Sequence, residues 1–358
     1  MTRPAYLTLD LSALQHNFKR ISAYAPSTHI MAMVKANAYG HGAVQIARAL
    51  KKADAFGVAS LEEGMVLREA GIQQPVVLLN GLFDESEWHV ASRYDFTLVI
   101  HQLSALVMLE KIKPDQPFSV WLKINSGMNR LGFDLHEVAA IYQRLMMASA
   151  VNKPIGFMTH FSEADDLNSP VTAHQIACFN QATAGLQGPR SLAHSAAIIA
   201  RPESHADFVR PGLMLYGVSP FANKTAVDFD LKPVMTFSSA IEAIRLIKKG
   251  ERVSYGGTFV APSDMLIGIV SLGYGDGYPR AAKNGTPLLV NGRQTTLIGR
   301  VCMDMLAVDL RPLSDTKVGD PVVLWGQGLP IEEVAHYNNT FVYEMLSSVT
   351  DRPKRAWL

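Results

Sequence analysis

The sequence predicts an α/β fold: an N-terminal (β/α)8 TIM-type barrel followed by a C-terminal, mainly β domain. Two observations carry this prediction. From about residue 28 to 217, short apolar runs rich in β-branched residues alternate with longer segments of helical period, and eight such runs can be counted. Beyond about residue 232 the texture changes to strand-like runs joined by Gly, Asn, Asp and Pro. A chain of 358 residues also fits two domains at roughly 150 residues each.

The expected strands are HIMAMVK (29 to 35), AFGVAS (55 to 60), PVVLLNG (75 to 81), FTLVI (96 to 100), SVWLKIN (119 to 125), IGFMTHF (155 to 161), RSLAHS (190 to 195) and FVRPGLMLYG (208 to 217). Eight of them favour a closed barrel over an open doubly wound sheet. Between them AVQIARALKKA, LEEGMVLREAG, QLSALVMLEKI and LHEVAAIYQRLMMA place apolar residues at helical spacing. An earlier helix, from about Leu11 to Tyr24, has Asp10 as its N-cap. The barrel domain is expected over residues 10–232 and the β domain over 233–358, with residues 1–9, including the run AYLTLDL begins, pairing to the latter. Within that domain, Val290-Asn291-Gly292-Arg293 is a two-residue hairpin signal, and only IEEVAHY and FVYEMLSSV read as helical.

Composition narrows the function. The chain is 48% hydrophobic with 33 Lys plus Arg against 32 Asp plus Glu, a formal charge of +1. That excludes a disordered chain and speaks against nucleic acid or an anionic membrane as partner. Cys178 and Cys302 are the only cysteines, so there is neither a disulfide framework nor a Cys/His metal cluster. No signal-like segment or spanning helix is seen, so a soluble cytoplasmic protein is expected, and the cysteine count leaves no metal site in prospect.

In such a barrel the active site lies where strands end at their C-terminal side. Lys35, Lys123, His160, Ser195 and Arg210 fall at or near the ends of strands one, five, six, seven and eight. Any one of them alone reads as structural more often than not; it is the shared position that argues for a site. A lysine after an apolar strand is partly desolvated, which frees its amine to react with an aldehyde, although a solvated loop lysine is the plain alternative. The segment after Lys35 holds glycines for tight turning, and Tyr39 can donate to an anion. After the last two strands, Ser195-Ala196-Ala197 and Pro211-Gly212-Leu213 can offer a phosphate cradle. An aldehyde-reactive lysine facing a phosphate cradle points to pyridoxal 5′-phosphate.

Read in order, VKANAYGHG (34 to 42), LKINSGMNRLGF (122 to 133), THF (159 to 161), VRPGLMLYG (209 to 217), VSYGG (253 to 257), GYGDGYPR (273 to 280) and GRVCMDM (299 to 305) resemble the motifs of the bacterial alanine racemases. The resemblance runs from Asp10 nearly to the C-terminus. It implies a pyridoxal phosphate barrel with a C-terminal β domain, a homodimer with sites completed across the interface, and interconversion of L- and D-alanine for peptidoglycan. Lys35 would be the Schiff-base lysine and the D-side base. Tyr255, from the partner subunit, would be the L-side base, because racemisation needs proton carriers on opposite faces of one carbon. Its phenolate would need positive neighbours, for which the family offers His160 and Arg210.

The resemblance also places Arg210 against the pyridine nitrogen, where it cannot readily give up a proton. Lys123 and Arg130 match a segment in which the family often carries a carbamylated lysine holding an arginine near the cofactor and the substrate carboxylate; an ordinary lysine with its own carboxylate is the alternative. Tyr343 resembles the phosphate-binding tyrosine, joined by Tyr39, Ser195, Gly212 and Leu213. Met303 resembles the residue whose N–H meets the substrate carboxylate from the partner chain. Tyr274 resembles an inner entrance residue, with Asp165, Arg280 and Arg300 further out, where a solvated salt bridge is the competing reading. His194 departs from the family's usual Asn, whose paired donor and acceptor an imidazole cannot copy. A broader-specificity racemase is the alternative. A pyridoxal phosphate decarboxylase, which uses an acidic partner at the ring nitrogen, is opposed by Arg210, and a non-catalytic cofactor carrier is opposed by the full β domain.

Overall fold

The computed structural model describes residues 3–358 and divides into two compact units: Phe18–Ala38 with Gly42–Leu215, and the residues up to Asn17 with Tyr39–His41 and Tyr216–Leu358. In the first unit the eight expected runs form parallel strands: β2 (His29–Met33), β3 (Ala55–Val58), β4 (Val76–Leu78), β5 (Phe96–Ile100), β6 (Val120–Lys123), β7 (Gly156–Met158), β8 (Arg190–His194) and β9 (Phe208–Arg210), preceded in the chain by β1 (Tyr6–Leu9). They close on themselves in that order, β9 returning to β2 through Phe208 opposite His29 and Val209 opposite Ile30.

The barrel strands are mainly apolar, and β3, β4 and β7 wholly so, because both faces are covered, one by the filled interior and one by helices. β3, β4 and β6 are buried at every position. Each such Val, Leu, Ile or Phe contributes roughly 1.5–3 kcal/mol on burial. All but β5 stop earlier than the runs read from the sequence. The last one, read through residue 217, ends at Arg210 because Pro211 and Gly212 break the ladder, and Leu213–Tyr216 turns into a 3-10 helix instead. Asp10 caps the helix Leu11–Tyr24, its Oδ1 accepting from Ser12 N–H at 2.8 Å and Ala13 N–H at 2.9 Å.

The second unit is built on β1, β10 (Met235–Ile247), β13 (Met265–Val270), β14 (Pro287–Val290), β15 (Arg293–Ile298), β16 (Leu306–Asp309), β17 (Pro321–Trp325) and β18 (Lys354–Trp357), while β11 (Arg252–Val253) and β12 (Phe259–Val260) form a small hairpin. The order is 13-16-15-14-17-10-1-18, and β10 bends past a register shift between Ile241 and Ala243 to pair also with β13. β1 lies antiparallel to β10 and parallel to β18, so AYLTLDL pairs where it is expected; Met1 and Thr2 lie outside the described residues. Asn291 and Gly292, at φ 50° and 72°, make the tight hairpin between β14 and β15. Among the described residues no helix is long and apolar enough to cross a membrane.

Candidate active site

In the barrel unit, Lys123 and Arg210 are the last residues of β6 and β9, Lys35 and His160 follow β2 and β7 by two positions, and Ser195 follows β8 directly. All five stand at the C-terminal ends of parallel strands. Lys35 opens a turn in which Ala36, Asn37, Ala38 and Tyr39 all have φ between 51° and 55°. A left-handed run of four non-glycine residues costs about 1–2 kcal/mol each, so the surroundings must fix it. Gly40 and Gly42, at φ 78° and 97°, turn as the sequence predicts, and the strain falls on the non-glycine residues before them. Asn37 holds the far side, its carbonyl accepting from Gly42 N–H and its Oδ1 from Ala43 N–H, both at 2.8 Å.

Glu63 holds the near side. Its Oε1 accepts from Ala36 N–H and its Oε2 from Ala59 N–H, each at 2.7 Å. This carboxylate was hidden in the sequence because it lies in the first turn of the helix Leu61–Glu69, where an acidic residue needs no functional explanation. Burial, then the Arg130 guanidinium, lower the Lys35 ammonium pKa; Glu63 opposes them, and Arg210 adds to the lowering.

Arg210 is buried, and its bonds go to neutral acceptors: Nη1 donates to Ser191 Oγ at 2.6 Å, and Nη2 to the carbonyls of Thr159 at 2.5 Å and Leu192 at 3.0 Å. Burial lowers its pKa to about 10, so it stays protonated at neutral pH. No acceptor among the described residues meets its Nε–H. A ring nitrogen with a lone pair fits that donor; a protonated one does not. Thr159 and Ser191, assigned no role from the sequence although Thr159 opens the THF motif, set its orientation, and Thr159 Oγ1 is tied in turn to the carbonyl of Ile124 at 2.9 Å.

Lys123 is buried, and its pKa falls to about 8 through burial, then through Arg210, Arg130 and Lys35. It forms no ion pair among the described residues, so the ordinary buried Lys–carboxylate pair is not what stands here. Lys123, Arg130 and His160 line one cleft with Asn125, Ser126 and Met128. Burial, His194 and Arg210 lower His160 well below the usual histidine range. The positive neighbour expected at His160 is therefore a neutral imidazole, and Arg210 carries the charge. His194, pushed down to about 4 by burial and Arg210, stands at the N-cap of the helix Ser195–Ala200 with its ring 4.7 Å from that of His160. Asp165 sits exposed on the loop after β7.

Ser195 Oγ accepts from Gly212 N–H at 2.9 Å and Met214 N–H at 3.3 Å, with Leu213 buried between them. Its own hydrogen remains for an anionic oxygen, which fits a phosphate. Desolvated lysines, a guanidinium without a carboxylate and a hydroxyl spanning two strand ends together fit pyridoxal 5′-phosphate. Among the described residues, no three His, Cys, Asp or Glu side chains gather as a metal site.

In the second unit the rings of Tyr39 and Tyr343 lie 5.8 Å apart, and burial raises the Tyr39 phenol. Tyr255 is exposed on a turn entered by Ser254 at φ 62°, a strained position for a serine, whose Oγ donates to the Arg300 carbonyl at 2.6 Å. Tyr274 N–H donates to the Cys302 carbonyl at 3.0 Å, and the Arg280 guanidinium lies 5.9 Å from the Tyr274 ring. Tyr255, Tyr274, Arg300 and the exposed Met303 thus converge on the segment 300–303.

Comparison with known proteins gives this arrangement a family. The model of the alanine racemase N-terminal domain matches residues 9–220, and that of the C-terminal domain residues 234–357. The biosynthetic alanine racemase of Escherichia coli K12 is 46% identical over 349 residues, 97% of each chain. Among solved structures, the biosynthetic alanine racemase of Pseudomonas aeruginosa is similar with a TM-score of 0.96 at 44% identity, and the alanine racemase of Acinetobacter baumannii with 0.95 at 43%, each covering all of both chains.

Proposed function

This chain belongs to the alanine racemase family, isomerases that use pyridoxal 5′-phosphate to interconvert L- and D-alanine, and on that premise we propose how its residues perform the reaction. The observation that carries the reading is Arg210, a buried guanidinium with only neutral partners and a spare Nε–H at the mouth that also holds Lys35. When bound, the cofactor supplies an aldehyde for an amino group and a conjugated ring that acidifies the substrate Cα–H bond. Arg210 donates to the ring nitrogen and keeps its proton, which limits that acidification and favours return of a proton to Cα over its delivery elsewhere.

Lys35 Nζ takes or returns the Cα proton on the D-side, and Tyr255 of the partner subunit does so on the L-side. Burial and the Arg130 guanidinium lower the Lys35 pKa, which makes its neutral, proton-accepting amine easier to reach. Ser195, Tyr39, Tyr343 and the backbone at Gly212 and Leu213 bind the phosphate. Arg130 and the Met303 N–H hold the substrate carboxylate, with Lys123 carbamylated to orient Arg130. Tyr274, Asp165, Arg280 and Arg300 line the entrance. In this reading residues 10–232 form the cofactor-binding domain and 233–358 the domain serving the other subunit of a homodimer. The enzyme works in the cytoplasm and supplies D-alanine for peptidoglycan.

Incubation of the purified protein in deuterium oxide with each alanine enantiomer tests the proposal. Deuterium is expected at Cα from both, with convergence to equal amounts of the two. Retention of the α-proton from both enantiomers would reject racemisation, and equal exchange across a panel of larger amino acids would reject the restriction to alanine.

A further inference from the structure

The loop that carries Tyr274 is fastened to Met303 by side chains that the mechanism above does not use. Asp276 is fully buried. Its carboxylate accepts from both terminal nitrogens of Arg3, Nη1 to Oδ1 at 2.6 Å and Nη2 to Oδ2 at 2.5 Å, and from Gly273 N–H at 2.9 Å. Arg352 Nε lies 3.7 Å from Oδ1. The same two arginines reach Asp304: Arg3 Nη2 donates to its carbonyl at 2.9 Å, and Arg352 Nη2 to its carboxylate at 2.5 Å.

Asp304 directly follows Met303, whose own carbonyl accepts from Gly275 N–H at 2.8 Å. A side chain at Gly273 would run into the carbonyls of Cys302 and Met303, and one at Gly275 into the Arg352 guanidinium, so glycine at both positions lets the two segments lie this close. The carbonyls of residues 302, 303 and 304 are thus all held, by Tyr274 N–H, Gly275 N–H and Arg3 in turn. A bidentate Arg–carboxylate pair is geometrically rigid, and a buried carboxylate that lost it would be left with an uncompensated charge.

We propose that Arg3, Asp276 and Arg352 form a positioning clasp that aims the Met303 N–H at the substrate carboxylate. The inference rests on the racemase reading of Met303 given above. A backbone donor to a carboxylate acts alike before and during proton transfer, so its misplacement raises KM and leaves kcat nearly unchanged.

Steady-state kinetics of the holoenzyme in both directions, with Arg3→Met, Arg3→Lys and Arg352→Met, test the clasp. Arg3→Met is expected to raise KM for L- and D-alanine about tenfold with kcat within about twofold. Arg3→Lys restores part of the loss, because an ammonium keeps the charge but not the fork. Arg352→Met, which cuts the arm to the Asp304 carboxylate, raises KM by less. Unchanged KM in Arg3→Met, or a fall in kcat at constant KM, overturns the proposal. If Arg3→Met does not fold, the same criteria apply to the other two variants. A wild-type protein that fails to exchange the α-proton defeats the racemase reading; one that exchanges it while the variants keep their KM defeats the clasp alone.

Discussion

Burial of Lys123 among Arg210, Arg130 and Lys35 makes the protonation of one residue a matter of stability. Its folded-state pKa, about 8, lies below the ordinary lysine value of 10.5. Between those values the unfolded chain binds the extra proton, so stability rises with pH across that window and is lost as pH falls through it. In carbon dioxide-free buffer, where Lys123 carries no carbamate, the urea-unfolding free energy is expected to rise from pH 7.5 to 9.5 by about 1–2 kcal/mol more in the wild type than in Lys123→Met. Equal pH dependence in the two would show that the lysine is not titrating in this environment. The same neutral amine is what carbon dioxide needs, so the site that makes the lysine costly also makes it modifiable.

Strand ends are where this fold keeps its chemistry, and Ser195 links two of them. Its Oγ, just past β8, satisfies the N–H groups of Gly212 and Met214 after β9. Ser195→Ala leaves two buried donors unpaired and is expected to destabilise the protein by about 1–3 kcal/mol. It should also weaken pyridoxal phosphate retention, and thermal unfolding with and without added cofactor separates the two effects. A variant as stable as the wild type that retains the cofactor equally well would contradict this role. The β2 element was legible as a strand, but its exit was not: the left-handed turn over residues 36–39 depends on Glu63 and Asn37, which reach it from sequence-distant and sequence-near sides.

Whole-molecule consequences follow from dividing the bases between two chains. If Lys35 of one chain works with Tyr255 of the partner subunit, Lys35→Ala and Tyr255→Phe homodimers are both inactive. A mixed dimer then holds one intact site. Coexpression at equal levels makes half the dimers mixed, so about a quarter of wild-type racemase activity is expected. No recovery would mean that each chain supplies both bases to one site. The near-zero net charge reported by composition is compatible with a zwitterionic substrate, but only the folded chain gathers Lys35, Arg130 and Arg210 at one barrel mouth, a local positive excess that suits a phosphate and a carboxylate.

Sequence alone determined the barrel of eight parallel strands, the β domain after it, and the strand-end positions of Lys35, Lys123, His160, Ser195 and Arg210, because alternation, turn residues and strand termini are local properties written in consecutive residues. Tertiary structure decided what those residues are chemically. It made His160 neutral, left Lys123 without a counter-ion, gave Arg210 only neutral partners and put Glu63 beneath the Lys35 turn. It also joined Arg3 to Asp276, a contact between residues 273 apart in the chain. Desolvation and charge proximity depend on which distant segments fold together, and no local pattern in the chain encodes that.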